Sequence, residues 1–366
     1  MDKNEILGKI ERNDFRGLDV SQYDSLNWND ILSEQNQNLI FDSKTIFPDS
    51  VKNLFQTRLE RAKVRGPYIE QLHNLGYTGR GITVAIIDSK LRTTHNGIRD
   101  NITYYKEIGN ITSEPEMHGS AVSSILCDRD IGILPDAKLM YFATPSGKDI
   151  TVDTYIDAIY QTVEYNKQLS EKDKIKVISI SFGLNDGTVE TREKVQRAIS
   201  VCRDNDIFIA FTGSHEFYNI GFIGTDRKID SDLNNPKNYG ECIFLSKRSG
   251  NPSVENIICV PQDRITTASP AGDNDYVYYT DGGMSWATPY FAGMYALAKS
   301  VDNSITPEKF RDLALSTGDN ILIKNVNCSF INPIKMVKSL EFENATKKLD
   351  NKEFTITKRM LNDRLK

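Results

Sequence analysis

The sequence predicts an α/β fold: a doubly wound, mostly parallel sheet with helices on both faces, plus a small N-terminal appendage. Three observations carry this reading. Short apolar runs of buried-strand type, ITVAIID, AKLMYFAT, IKVISISFG and DIFIAFTG, alternate with helix-like stretches, SAVSSILC, VDTYIDAIYQTVEYNKQL and TREKVQRAISVCRDN. Alternation of that kind belongs to parallel strands covered on both sides. The composition, 39% apolar and 26% charged, is that of a packed globular protein, and 366 residues exceed what one core usually serves.

In chain order, residues 1–65 are polar, carry DFRGLDVSQYD and FDSKTIFPDS, and end in a predicted helix, SVKNLFQTRLERAKV. They read as a pro-segment, removed near the basic run RLERAKVRG, or as a permanent adaptor. Residues 66–334 form the predicted α/β domain. In such sheets the working residues sit at the carboxyl ends of strands, which here are Asp88, Gly183 and Gly213. Residues 335–366 are charged with a helical pattern and read as a solvated helical extension.

Charge and cysteine usage exclude several classes. Forty-five basic and 50 acidic residues give a net charge of -5, with no basic stripe for nucleic acid and no cationic amphipathic run for a membrane surface. The first 25 residues lack the apolar core of a signal peptide, and no segment reaches the length of a membrane span. Cys127, Cys202, Cys242, Cys259 and Cys328 are odd in number and lack C-x-x-C spacing, so reduced, buried thiols in a cytoplasmic protein are expected. No cofactor is implied.

Four local features share one logic. IIDS ends a strand at Asp88; MHGSAVSSIL puts His118 before a glycine and an apolar helix; SISFG ends a strand at Gly183; GGMSWATP holds Ser285 and a helix-starting proline ahead of the apolar stretch FAGMYALA. A serine nucleophile needs a base to take its proton and a carboxylate to orient that base. Taken singly, each feature has a plainer reading: a turn aspartate, a chance His-Gly, a helix N-cap serine. Together and in this order they supply an acid, a base and a nucleophile.

The stretch from about Gly66 to Thr317 resembles the subtilisin-like serine proteases, the subtilases. GYTGRGITVAIIDS is similar to the family's aspartate motif, HGSAVSSI to its histidine motif and GMSWATPYFAGMYALA to its serine motif; IGILPDAKLMYF and ITTASPAG match connecting pieces, the second as the strand before the serine. The resemblance implies Asp88 as orienting acid, His118 as general base and Ser285 as nucleophile, its backbone N–H donating to an oxyanion from the head of a helix. The small residues Ala287, Ala292, Gly293 and Ala296 would let that helix run closely through the core. By the same resemblance Ser181, Phe182 and Gly183 form one wall of the specificity pocket and Phe211, Thr212 and Gly213 the other, with the substrate lying extended between them.

The chain departs from the family at several points. Lys90 follows Ser89 where a glycine is usual. Met284 and Trp286 flank Ser285 and remodel its rim. Ser214 stands where the family presents an asparagine whose amide completes the oxyanion site, leaving Ser214 or His215 as candidate substitutes. His73 and His95 carry no assigned role. The interval from His118 to Gly132 is shorter than in calcium-dependent relatives, and Asp128 and Asp130 are too few carboxylates for a calcium site, so no metal is expected. An α/β-hydrolase reading fails because no G-x-S-x-G elbow surrounds Ser285. The expected function is a serine endopeptidase with a narrow processing role on a protein or peptide. The alternative is an impaired relative that binds an extended peptide without cutting it.

Overall fold

The protein is described from a computed structural model covering residues 3–147, 150–228, 231–247 and 256–347. The N-terminal segment contributes α1 (Lys3–Glu11), α2 (Trp28–Ile31), β1 (Ile40–Asp42) and α3 (Lys52–Arg61). It holds its own apolar cluster, built on Phe15, Trp28, Phe41, Phe47 and Phe55. The Phe47 and Phe55 rings stack with centroids 3.7 Å apart, and Tyr278 of the main body completes the cluster by stacking on Phe41 at 5.0 Å. Aromatic packing of this density lets a short polar segment bury enough area to order itself.

After α4 (Ile69–Asn74) comes the central sheet: β2 (Thr83–Ser89), β3 (Ile102–Glu107), β4 (Lys138–Thr144), β5 (Val177–Ile180) and β6 (Phe208–Phe211). All its pairings are parallel and its spatial order is β3-β4-β2-β5-β6. Because the chain leaves β2 toward one edge and later returns to β5 on the other side, the carboxyl ends of β2 and β5 flank the switch point where ligands bind in such sheets. Strand β2 is buried along its whole length, as its unbroken apolar run predicts. Helices α5 (Met117–Cys127), α6 (Val152–Lys167) and α7 (Val189–Asp204) match the three helical stretches read from the sequence. Thr151 and Thr188 cap α6 and α7 by accepting the backbone N–H three residues on.

A second five-stranded sheet follows, containing β7 (Phe222–Arg227), β8 (Tyr239–Glu241), β9 (Ile258–Pro261), β12 (Asp319–Ile323) and β13 (Val326–Phe330). A third joins β1 to β11 (Tyr276–Tyr279) and β10 (Ile265–Ala268), all antiparallel. The sequence pattern missed most of these strands, which are short and take their partners from distant parts of the chain. ITTA is indeed β10, but β11 intervenes before the serine.

Helix α10 (Gly283–Val301) runs through the main core, and Ala287, Ala292 and Ala296 are buried. Two expectations need correction. Pro289 does not start this helix; it lies inside it, and the first turn begins at Gly283. The boundary placed after residue 334 falls within a helix over residues 333–347, α12, whose Met336, Val337 and Leu340 are buried in the main core. Its apolar face seats it there, so these turns are not a solvated extension; the remainder of that stretch, 348–366, lies outside the described residues. All five cysteines are free and buried. No helix among the described residues is long and apolar enough to cross a membrane.

Candidate active site

Asp88 is the penultimate residue of β2 and is 1% exposed. Its Oδ1 accepts the Ser89 N–H at 2.8 Å and the His118 Nδ1–H at 2.7 Å. His118 stands in the first turn of α5, its side chain one-third exposed. That turn can approach β2 only because residue 119 is glycine: a Cβ there would run into the Ser89 carbonyl and the Tyr141 hydroxyl, which are hydrogen-bonded to each other. The HG pair in the sequence is therefore a packing requirement as well as a chemical one. Burial pulls the His118 pKa down, but the charge and hydrogen bond of Asp88, with the charge of Glu116, outweigh it, and the pKa is raised above the ordinary 6.5.

Ser285 lies in the first turn of α10, where backbone N–H groups lack intrahelical partners and the helix dipole is positive. Gly283 enters the helix at φ +59°, a conformation that side chains other than glycine's resist, and its N–H is held by Asp281 Oδ1 at 3.0 Å. Two reciprocal bonds tie the serine to the end of β5. The Ser285 hydroxyl donates to the Ser181 carbonyl at 3.3 Å, and the Ser181 hydroxyl donates to the Ser285 carbonyl at 2.8 Å. The second bond explains Pro289. In an α-helix the Ser285 carbonyl would accept the N–H of residue 289, which proline lacks, so the carbonyl is left open for Ser181. In this resting arrangement no hydrogen bond joins Ser285 to His118 among the described residues, although the neighbouring Trp286 ring lies 5.5 Å from the imidazole.

Phe182 stacks on Tyr155 at 4.6 Å, Gly183 is exposed, Thr212 and Gly213 are half-buried, and Phe211 is wholly in the core. The expectation that Phe211 lines the pocket needs correction: the whole residue is buried, and Ser214 occupies both its N–H and its carbonyl. The Ser214 expectation needs correction. Its hydroxyl donates to the Phe211 carbonyl at 2.8 Å and accepts the Phe211 N–H at 3.0 Å, and the residue is 1% exposed. A serine with its single proton committed to closing a turn offers none to an oxyanion. His215, next in the chain, is exposed on a one-turn helix, α8 (His215–Tyr218). Lys90 points away from Asp88 and pairs with Glu107 Oε1 at 3.2 Å. Asp128 turns back on its own loop, accepting the N–H groups of Asp130 and Ile131 at 2.9 and 3.1 Å.

Two contacts escaped the sequence reading: the Ser181 hydroxyl on Ser285 and the Trp286 ring beside His118. Only the proline four residues after Ser285 signalled either of them, through the carbonyl it leaves unpaired.

The profile described as "Subtilase family" matches residues 79–260, a span that includes Asp88 and His118 and ends before Ser285. The chain is 24% identical over 247 residues to an "Intracellular serine protease" of Paenibacillus polymyxa, covering 62% of this chain and 69% of that one. It is 25% identical over 254 residues to Subtilisin NAT of Bacillus subtilis subsp. natto, covering 67% of this chain and 62% of the relative's length. Among solved structures, a cold-adapted subtilisin-like serine proteinase superposes with TM-score 0.53 at 16% identity, covering 70% of this chain and 90% of that one. The prenylagaramide maturation protease PagA gives TM-score 0.52 at 17% identity, covering 75% and 98%.

Proposed function

We propose that this chain, which matches the subtilase family over residues 79–260 and subtilisins at 24–25% identity, is a serine endopeptidase working through Ser285, His118 and Asp88. The observation that carries the reading is the 2.7 Å bond from His118 Nδ1–H to a buried Asp88, at the sheet's switch point and beside the turn that bears Ser285. A carboxylate so placed fixes the imidazole tautomer, leaving Nε2 unprotonated and free to act as a base.

In the proposed reaction an extended peptide lies between Ser181–Gly183 and Thr212–Gly213. The Ser285 hydroxyl leaves the Ser181 carbonyl and donates instead to His118 Nε2. As Oγ attacks the scissile carbonyl, its proton passes to Nε2, and Asp88 stabilises the imidazolium. The oxyanion meets the Ser285 N–H at the head of α10. His118 then gives the proton to the departing amine. Water enters, loses a proton to the same nitrogen, and releases the acyl group, restoring Ser285. With the Ser214 hydroxyl committed to its turn, one oxyanion donor of the family is missing. In subtilisin, removing such a donor lowers turnover by about 10²–10³-fold. A slow, narrow processing role fits that deficit, and an intracellular setting accords with relatives named as intracellular serine proteases.

The test is a fluorophosphonate probe on purified protein, wild type beside Ser285→Ala. Labelling that vanishes with Ser285 is expected; absence of any serine-dependent adduct overturns the reading. The Ser285 hydroxyl's orientation toward Ser181 favours one alternative, a protein that binds an extended peptide without cutting it. Peptide binding without labelling in either protein would select it.

A further inference from the structure

Residues 59–66 are not laid out as a cleavable linker. The Leu59 carbonyl accepts the Thr266 hydroxyl at 2.8 Å, and the Ala62 carbonyl accepts the Thr266 N–H at 3.0 Å and Arg227 Nη2 at 3.1 Å. The Val64 carbonyl takes Arg227 Nη1 at 2.7 Å, and Arg65 is buried with its Nε–H on the Ile131 carbonyl. A Cβ at position 66 would lie 2.7 Å from Pro261 Cγ. A protease must seize several residues in extended form through their main-chain groups, and here several of those groups are already engaged by the body of the protein.

The segment also reaches toward the catalytic residues. Strand β1 pairs with β11, and the Leu39 carbonyl takes both the Thr280 N–H at 3.1 Å and the Thr280 hydroxyl at 3.0 Å, on the loop that leads to Ser285. Arg16, clamped by Asp14 at 2.9 and 2.7 Å, sits 5.9 Å from the centre of the Tyr279 ring. Tyr279 meets Trp286 edge-on at 5.5 Å, and Trp286 lies 5.5 Å from the His118 ring. Both aromatic rings are almost wholly buried. Since a single hydrogen bond at Nδ1 leaves an imidazole free to tilt, the Trp286 ring tilted beside it supplies a second restraint.

We propose that residues 1–65 are a permanent part of the active unit and, through Arg16, Tyr279 and Trp286, position His118 and the Ser285 loop. The proposal rests on reading His118 as the general base. None of these three side chains is assigned a contact with the reacting atoms; they are positioning residues. A misplacement of about 1 Å at a catalytic group costs on the order of 10²-fold in rate, so a partial loosening should cost about tenfold.

The experiment uses the full chain with Tyr279→Leu, Arg16→Gln and Arg16→Lys. Its readings are the rate of fluorophosphonate inactivation, the His118 imidazole resonance followed through a pH titration, and the melting temperature. Expected are a fall of about tenfold for Tyr279→Leu, a smaller fall for Arg16→Gln that Lys reverses by keeping a cation over the ring, and a displaced His118 resonance in the two impaired variants. Unchanged rates and an unmoved resonance, with only a lower melting temperature, would reduce the segment to a stabilising brace and overturn the proposal. So would wild-type protein whose intact mass lacks residues 1–65. If Tyr279→Leu does not fold, Arg16→Gln decides. If wild type is never labelled, the protease reading fails, and the His118 resonance still decides whether the segment positions that ring.

Discussion

Replacing Asp88 by asparagine tests the proposed chemistry most directly, because the structure dictates what each orientation of the amide must do. With its oxygen at the Oδ1 position the amide keeps both bonds, to Ser89 N–H and to His118. Its NH₂ then occupies the place of Oδ2, which is buried and has no partner among the described residues. An unpaired buried donor costs about 1–3 kcal/mol. Flipped, the amide sets an N–H against the Ser89 N–H and becomes the donor to Nδ1, driving the imidazole proton to Nε2, where it faces the serine. Both orientations remove the charge that stabilises the imidazolium. The same change in a Ser-His-Asp triad of another fold lowers turnover about 10⁴-fold. We therefore expect inactivation by a fluorophosphonate to slow by about 10³–10⁴-fold, or about 4–5.5 kcal/mol at 1.36 per decade. The pH dependence moves too. In the wild type the Asp88 charge helps hold the His118 pKa above 6.5, so the rate should rise with pH through a value above that of a free histidine. In Asp88→Asn this limb should shift to lower pH, because the neutral base persists to greater acidity. The assay is the inactivation rate across about pH 5 to 9, with melting curves to confirm folding. A loss below tenfold, or a limb that stays where it was, refutes the assignment.

Three further outcomes are expected. Ser214→Asn breaks the two bonds that close the Phe211 turn and should cost about 1–2 kcal/mol of stability. It should also raise the inactivation rate at least about tenfold by returning an oxyanion donor; denaturant melts and probe kinetics read the two effects separately. Ser181→Ala leaves the Ser285 carbonyl without a donor and should destabilise by about 1–3 kcal/mol, while adding Pro289→Ala restores an N–H at the helical position and should recover part of the loss. Strict additivity of the two changes in chemical denaturation would contradict that account. Asp263, which accepts the Gly282 N–H at 3.2 Å, is pushed up to about 7 by burial and by the charge of Asp226. A carboxyl raised in the folded state stabilises fully below its ordinary value and loses that contribution as pH rises through about 7. The urea midpoint should accordingly fall between about pH 5 and pH 8, and Asp263→Asn should flatten the slope.

Much of this protein was determined by the sequence alone, because the deciding interactions are local. The parallel sheet followed from apolar runs separated by amphipathic helices, and Asp88, His118 and Ser285 were marked by motifs at strand ends and helix heads, where backbone geometry sets the surroundings. Only the tertiary structure decided how these residues are held. That Ser181 and Ser285 exchange hydrogen bonds, that Ser214 is locked to Phe211, that Lys90 chooses Glu107 over Asp88, and that α12 seats Met336 and Leu340 in the main core all depend on the relative placement of whole elements. The N-terminal segment makes the point most fully. Its polar composition reads as an appendage, yet β1 finds its partner in β11 and Phe41 finds Tyr278, more than 200 residues away. Pairings of such separation are chosen by shape and burial after the chain has folded back on itself, and no periodicity in the sequence records them.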